Sequence, residues 1–293
     1  MEIKTGFNPI KQFGGSIHQS VMPIVSITNE EITPLGTGFV INPGGLFVTA
    51  THVLKDFLSD AESKPPVYAI YTSDKRHSEN RDKYVGGPLR IKSVSWSPEL
   101  DVAYCQLELL ASTQDGKPLL LPCFSVSAAL PRIDENILGI GYPNSRWDTP
   151  EETREGLPIV SCLRNTISTT GNVVEIHYPK RDSTFLYYPC FQTTARFESG
   201  MSGGPIINES GFVCGVICRS FGDVADQLGP ISYGSLLSPS FAISIKVLLS
   251  GEDTERELLV YDLIKRGGIG SDDSIKSLRI IEENGKRSVS IIG

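Results

Sequence analysis

The 293-residue sequence contains no long hydrophobic run and no low-complexity tract. No apolar stretch approaches the roughly twenty residues that a membrane-spanning helix requires. The polar residues 1–19 also lack the continuous apolar core and the cleavage site of a secretory signal. From these absences we predict a protein that makes no contact with membranes and is located in the cytoplasm.

Metal-binding cysteine patterns and strong basic charge are absent as well. The formal net charge is −7, and no basic cluster is interleaved with aromatic residues, which argues against nucleic acid as a partner. The cysteines form no C-x-x-C pair, and most fall in apolar runs where a reduced thiol packs as a small hydrophobic group. We therefore predict no disulfide, no metal and no cofactor. The six cysteines are Cys105, Cys123, Cys162, Cys190, Cys214 and Cys218.

One glycine-rich segment carries most of the chemical information, and it reads Ser199-Gly200-Met201-Ser202-Gly203-Gly204-Pro205. Glycine at 200 frees the backbone, so the N–H groups of Gly200 and Ser202 can converge on a developing oxyanion. The alternative is a plain Gly/Pro turn between two strands. A serine nucleophile would also need a histidine as general base and a carboxylate to orient that histidine.

Histidine is scarce, and only one of the four histidines has a setting suited to a general base. Residues 45–53 predict a glycine turn and then a strand that delivers His52 at its end. The other three lie in polar, charged or strand-like segments, where we expect surface or structural imidazoles. These are His18, His77 and His177.

The predicted carboxylate is Asp101, because it stands at the mouth of the alternating apolar strand predicted over residues 102–107. An acid in that position is well placed to accept a hydrogen bond from a buried imidazole. Glu99 and Asp82 are the alternatives, although neither leads directly into an apolar strand.

In the order His52, Asp101 and Ser202, the chain resembles the trypsin-like (chymotrypsin-fold) serine peptidases, especially the compact, disulfide-free bacterial enzymes related to Deg-type proteases. The resemblance covers about residues 18–248. It rests on matches to the family patterns T-A-x-H, D-[LIV]-A and G-x-S-G-G-P, which are Thr49-Ala50-Thr51-His52-Val53, Leu100-Asp101-Val102-Ala103 and Gly200-Met201-Ser202-Gly203-Gly204-Pro205.

This resemblance implies a serine endopeptidase that cleaves protein or peptide substrates through an acyl-enzyme intermediate. Ser202 would be the nucleophile, His52 the general base and then acid, and Asp101 the group that holds the imidazole in its productive tautomer. The N–H groups of Gly200 and Ser202 would form the oxyanion hole.

The strand pattern independently indicates an all-β protein. Short runs rich in β-branched and aromatic residues recur between Gly, Pro, Asn and Asp clusters, with a spacing that predicts two six-stranded antiparallel barrels. The resemblance implies that these barrels are of the chymotrypsin-like type. We assign residues 1–17 to an N-terminal segment, 18–125 to the first barrel, 126–248 to the second barrel, and 249–293 to a C-terminal helix and a hairpin-like tail. The site would lie between the barrels.

The C-terminal tail is patterned as a helix over residues 254–266, and Asn284-Gly285 predicts a hairpin turn. A hairpin of this size must dock on the barrels or on a partner chain, so we also expect an activating or docking protein partner to bind through the tail. The tail is too short for the peptide-binding PDZ domain that Deg-type proteases usually carry.

Two departures from the family concern activation and specificity. Met201 stands where secreted trypsin-like enzymes have an aspartate that pairs with a new N-terminus, so that activation switch cannot operate here. The resemblance implies that Arg196 lies at the base of the primary pocket, where an arginine would favour an acidic residue before the cleaved bond. The alternative is that Arg196 points to solvent or supports the loop. Residues 241–243 could instead form a shallow apolar pocket. The strand that pairs with the substrate backbone would be Cys218-Arg219-Ser220.

Three classes of function remain open from the sequence. The resemblance favours an active serine endopeptidase. A catalytically silent module acting in binding or scaffolding is disfavoured, because all three triad positions and Gly200 are present. A structural subunit of an intracellular assembly, docked through the tail, could coexist with proteolysis. Only an activated serine reacts with a fluorophosphonate, so that reagent distinguishes the first class from the other two.

Overall fold

A computed structural model describes residues 12–13, 17–28, 31–58, 65–72, 83–109, 119–143, 146–147, 151–154, 157–163, 166–221, 231–247 and 254–291. The charged run 74–83, and with it His77 and the alternative carboxylate Asp82, lies almost entirely outside these residues. No helix in the described part of the chain has both the length and the apolar character needed to cross a membrane.

The first half of the chain builds a closed barrel. Its strands pair antiparallel in the order β6, β5, β2, β3, β4 and β7, and the pairing of β6 with β7 closes the ring. In chain order the elements are β1 (Gln12–Phe13), α1 (Ile17–Ser20), β2 (Val21–Ile27), β3 (Ile32–Asn42), β4 (Leu46–Thr49), α2 (Thr51–Leu58), β5 (Val67–Thr72), β6 (Lys83–Trp96), β7 (Ala103–Leu107) and β8 (Cys123–Phe124), the last of which pairs with β1.

A second six-stranded barrel follows, closed in the order β13, β14, β17, β16, β15 and β9. The elements of this part of the chain are β9 (Asn136–Gly141), β10 (Arg146–Trp147), β11 (Glu151–Arg154), β12 (Leu157–Leu163), β13 (Ile167–His177), β14 (Cys190–Thr193), β15 (Pro205–Asn208), β16 (Val213–Phe221) and β17 (Ile231–Leu236). The fold is therefore the predicted all-β double barrel of the chymotrypsin-like type.

Strands β10 to β12 belong to the stretch assigned from sequence to the second barrel, yet they extend the sheet of the first. The pairing of Val160 with Gly86 joins β12 to the early part of β6. Strand β6 has 14 residues and pairs with β7 only from Ile91 onward, so the early part of β6 has a free edge on the side opposite β5. Pairing with that edge satisfies the backbone of β12.

One buried apolar cluster crosses from barrel to barrel. It includes Phe39 and Phe47 of the first barrel together with Ile140 and Val216 of the second. Because close-packed side chains resist displacement, this shared core fixes the two barrels relative to each other and thereby fixes the cleft between them.

The tail differs from its prediction in one respect. A 3₁₀ helix (Ser238–Ala242) leads into β18 (Ser244–Val247), which pairs with β19 (Arg256–Leu259), and α3 (Val260–Lys265) follows. The predicted helix over residues 254–266 is thus wrong for its first part, because Leu258 pairs with the buried Ile245 and this tertiary pairing outweighs the helical pattern.

The chain then forms a 3₁₀ helix (Asp273–Ser277) and a hairpin of β20 (Leu278–Glu283) and β21 (Lys286–Ile291). Asn284 and Gly285 both have positive φ, 51° and 73°, as a two-residue hairpin turn of this sequence requires. We call β20, this turn and β21 the C-terminal hairpin.

Candidate active site

His52 and Asp101 lie side by side at the edge of the first barrel. Contrary to the prediction of a strand end, His52 is the second residue of α2, which is separated from β4 by one residue, Ala50. The His52 backbone N–H donates to Asp101 Oδ1 at 3.0 Å, and His52 Nδ1 lies 2.8 Å from Asp101 Oδ2. The carboxylate is almost fully buried. It thus favours the tautomer that carries its proton on Nδ1 and leaves Nε2 as an acceptor.

The other candidate acid and the other histidines that the structure describes lie away from this site. Glu99 Oε1 pairs with Lys286 Nζ at 2.5 Å, and its side chain is exposed. His177 lies in β13 of the second barrel, 3.7 Å from Glu175 Oε1. His18 belongs to α1.

Ser202 occupies a double turn between the barrels. The Met201 N–H donates to the Glu198 carbonyl at 3.0 Å and the Gly204 N–H donates to the Met201 carbonyl at 3.0 Å. The third residues of these turns, Gly200 and Gly203, have φ of 92° and 88°, the geometry of type II turns. A β-carbon at residue 203 would lie 2.1 Å from the Thr37 carbonyl oxygen, so the second turn requires glycine for space as well.

The amide groups of this double turn fall into two sets. Those of Met201, Gly203 and Gly204 donate to backbone carbonyls. Those of Gly200 and Ser202 have no acceptor among the described residues. Backbone N–H groups are rarely left unpaired in a folded protein, and unpaired neighbours on either side of a serine suit an incoming oxyanion.

The Ser202 hydroxyl donates to the Cys218 carbonyl oxygen at 3.3 Å. Within the described residues it makes no hydrogen bond to His52, so the structure brings His52 and Asp101 into direct contact and leaves Ser202 turned toward β16. Cys218 itself does not offer a competing nucleophile, because burial raises the pKa of its thiol and its Sγ donates to the Tyr233 carbonyl at 3.1 Å.

Thr37 is the site residue that the sequence analysis missed. Its hydroxyl donates to the Gly200 carbonyl oxygen at 2.8 Å and accepts from the Tyr142 N–H at 3.0 Å. Its backbone N–H donates to the Ser202 carbonyl oxygen at 2.8 Å. The one sequence signal is that Thr37 stands between two glycines, Gly36 and Gly38.

The predicted specificity residues take different positions. Arg219 and Ser220 are exposed on β16 next to Cys218, and Arg219 lines a cavity of about 460 Å³ together with His52 and Asp101. The side chain of Arg196 is 51% exposed, and its Nε lies 3.6 Å from Glu198 Oε1.

Met201 and the cysteines are part of the core. Met201 is fully buried in the apolar core of the second barrel, which is not a setting for an ion pair. Five cysteines of the described chain are buried free thiols: Cys105, Cys123, Cys190, Cys214 and Cys218. No group of three or more His, Cys, Asp or Glu side chains in the described ranges is arranged to hold a metal ion.

Comparisons with known proteins agree with this geometry. The model of the family described as "Trypsin-like peptidase domain" matches residues 36–216. A probable periplasmic serine endoprotease, DegP-like, from Pseudomonas putida (strain GB-1) is 26% identical over 240 residues, which is 82% of this chain and 38% of the relative. The homologous protein of Pseudomonas savastanoi pv. phaseolicola is 27% identical over the same share.

The chain therefore spans well under half the length of these curated relatives. Among solved structures, that of Deg5 is similar with a TM-score of 0.50 and 21% identity, covering 75% of this chain and 84% of the other, which bears on the fold alone. The predicted cytoplasmic location is wrong by this comparison, because the curated relatives are named periplasmic. The composition of residues 1–19 was an insufficient basis for a statement on location.

Proposed function

The chain belongs to the trypsin-like peptidase family, and from this premise we propose that it is a serine endopeptidase that uses Ser202, His52 and Asp101. The observation that carries the proposal is the double hydrogen bond between His52 and the buried Asp101, at 3.0 and 2.8 Å. Because the backbone N–H and the ring Nδ1 of His52 both bond to Asp101, Nε2 is the ring nitrogen that is free to act as a general base.

The reaction begins when the Ser202 hydroxyl rotates away from the Cys218 carbonyl and gives its proton to His52 Nε2. Ser202 Oγ then bonds to the scissile carbonyl carbon, and the resulting oxyanion accepts hydrogen bonds from the N–H groups of Gly200 and Ser202. The imidazolium passes its proton to the leaving amine as the C–N bond breaks. A water molecule, activated by His52, hydrolyses the acyl-enzyme and restores Ser202.

The backbone of β16 provides the binding edge for the substrate. Pairing of β16 with its neighbour on the Ser202 side ends at Ile217, whose carbonyl accepts from the Gly203 N–H at 2.8 Å. We infer that a substrate strand adds to the free edge at Cys218-Arg219-Ser220. A substrate N–H that takes the Cys218 carbonyl would displace the Ser202 hydroxyl toward His52, so that binding itself assembles the nucleophile.

The similarity to curated relatives extends the proposal to the cellular location and the partners of this chain. The curated relatives are named periplasmic serine endoproteases, and we assign this chain to the same compartment and to protein substrates. A partner that binds through the tail stays a prediction, since the C-terminal hairpin lies against its own barrels through the Lys286–Glu99 ion pair.

Peptidase assays on three single variants test the catalytic assignment. Ser202→Ala, His52→Ala and Asp101→Asn should each lower turnover by roughly 10⁴-fold or more. Glu99→Gln tests the alternative carboxylate: Glu99 pairs with Lys286 and not with His52, so this variant should keep kcat near the wild-type value. If Asp101→Asn kept full activity while Glu99→Gln lost it, the assignment of the carboxylate would be overturned.

A further inference from the structure

A groove of about 760 Å³ lies beside the cavity that contains His52. Three parts of the chain form its walls. The segment before Asp101 contributes Trp96 and Glu99, the second barrel contributes Tyr178 and Tyr187, and the C-terminal hairpin contributes Arg287 and Val289.

The groove continues directly from the catalytic cleft. Trp96 and Tyr187 line both the groove and the cavity that holds His52, Asp101 and Arg219. A substrate strand paired with β16 at Arg219 therefore has an open path past these two aromatic rings.

The lining combines three exposed aromatic side chains with several charged groups. Trp96, Tyr178 and Tyr187 are 44%, 56% and 46% exposed, although large apolar side chains are usually buried. Clustered exposure of this kind marks a binding surface. Of the charged groups in the lining, Glu99 pairs with Lys286 and Glu282 pairs with Arg287 at 3.1 Å, and Lys180 adds one basic group. The groove thus offers clustered aromatic surface, and both of its carboxylates are already paired with basic side chains, so it suits an aromatic side chain of the substrate.

The C-terminal hairpin is fastened to the body of the protein. Leu278 at its start is buried in the core shared by the barrels, and the Tyr261 hydroxyl donates to the Leu278 carbonyl at 2.9 Å. Near its turn, Lys286 bonds Glu99, which precedes Asp101 by two residues. The hairpin is held at both its base and its tip, so it can serve as a fixed wall.

We propose that the C-terminal hairpin completes an extended substrate groove, and that this groove binds an apolar side chain, preferably aromatic, upstream of the cleaved bond. This inference rests on the proposed peptidase function. It gives the tail a role in substrate selection and predicts that the substrates present extended apolar segments.

Peptide pairs test the proposal. Two fluorogenic peptides share the residues around the cleaved bond and the same N-terminal extension, but one carries Phe and the other Asp at the upstream position. The Phe peptide should have about tenfold higher kcat/KM, mainly through KM, because burial of an aromatic ring stabilises the complex. The same pair binds to Ser202→Ala without cleavage, so fluorescence polarisation gives a readout that does not require catalysis.

A variant pair isolates the hairpin. Ser288 is exposed and lines the groove, so Ser288→Trp should fill it and remove the preference for Phe. Ser277→Trp is the control, because Ser277 is also an exposed serine of the tail but lies outside the groove. Tyr178→Ala provides a second, truncating variant that should weaken the same preference.

Fluorophosphonate labelling of Ser202 should be equal in wild type and in all three variants. Equal labelling with an unchanged preference for Phe in both Ser288→Trp and Tyr178→Ala overturns the groove and leaves the peptidase proposal standing. Lack of labelling in wild type overturns the peptidase proposal, and Phe-selective binding to Ser202→Ala would still support the groove.

Discussion

Thr37 Oγ1 donates a hydrogen bond to the Gly200 carbonyl oxygen at 2.8 Å, which ties strand β3 of the first barrel to the turn that carries the two unpaired amides. Because neighbouring peptide planes in a turn are covalently linked, holding the Gly200 carbonyl in place also restricts the orientation of the adjacent N–H groups of Gly200 and Ser202. Thr37 is therefore a positioning residue for the proposed oxyanion hole, although it touches no reacting atom.

Removal of the Thr37 hydroxyl should have a larger effect on kcat than on the free energy of unfolding. Thr37→Val keeps the shape of the side chain but loses the bond to Gly200, and we expect kcat to fall by about 10- to 100-fold with little change in KM. Thr37→Ser, which keeps the hydroxyl, should restore most of the rate. Thr193→Val is the control, since Thr193 is a buried threonine whose Oγ1 accepts from the Ala195 N–H at 3.0 Å, away from Gly200. Equal losses of kcat in Thr37→Val and Thr193→Val would argue for a general packing effect.

Gly203 should tolerate no side chain. In Gly203→Ala the β-carbon would meet the Thr37 carbonyl oxygen at 2.1 Å and Thr49 Oγ1 at 2.2 Å, in addition to the strain of φ at 88°. We expect the free energy of unfolding to fall by about 3 kcal/mol or more. In Gly267→Ala, where φ is 77° and the added carbon meets nothing within 4 Å, the loss should be only about 1 kcal/mol. Chemical denaturation of the two variants measures the difference, and similar losses would contradict the clash.

The predicted acidic preference of the primary pocket depends on competition between two charges. Arg196 lies near Glu198, and this neighbour offsets its attraction for a substrate carboxylate. Arg196→Ala should remove any preference for Asp or Glu before the cleaved bond, and Glu198→Gln should increase it by about two- to fivefold in kcat/KM. Profiling on a peptide library checks both. A wild-type preference for basic residues would exclude the role of Arg196.

Asp182 should make the loop beside the cleft sensitive to acid. Its carboxylate accepts hydrogen bonds from the backbone N–H groups of Leu186, Phe185 and Thr184, and these lower the pKa of Asp182 from 3.8 to about 2. A lowered pKa means that the stabilising contribution is complete above the unfolded-state value and is lost as pH falls toward 2. The difference in unfolding free energy between wild type and Asp182→Ala should thus be constant from neutral pH to about 4 and shrink below. A difference that grows on acidification would contradict this assignment.

Strand patterns and family motifs in the sequence were sufficient to predict the double barrel, and they selected His52 and Asp101, which the structure brings into contact. Glycines at 200 and 203 are required by positive φ, and a backbone requirement of this kind is visible in the residue type. The hairpin turn at Asn284 was predictable for the same reason.

The features that the sequence did not predict depend on contacts between residues that are far apart in the chain. The Thr37 hydroxyl contacts a residue 163 positions away, and the pairing of β12 with β6 joins segments that local patterns assign to different barrels. Leu258 became part of a strand because Ile245 offered a partner. In each case the deciding energy comes from a contact whose geometry only the folded chain defines.

The central claim is that Ser202 is an activated nucleophile, and the most direct measurement is the site of fluorophosphonate attachment, identified by mass spectrometry of the digested protein. We predict one adduct, on Ser202, formed in wild type and absent in Ser202→Ala, with His52→Ala reacting slower by at least about 100-fold. An unlabelled wild-type protein, or equal labelling of wild type and Ser202→Ala, would contradict the account.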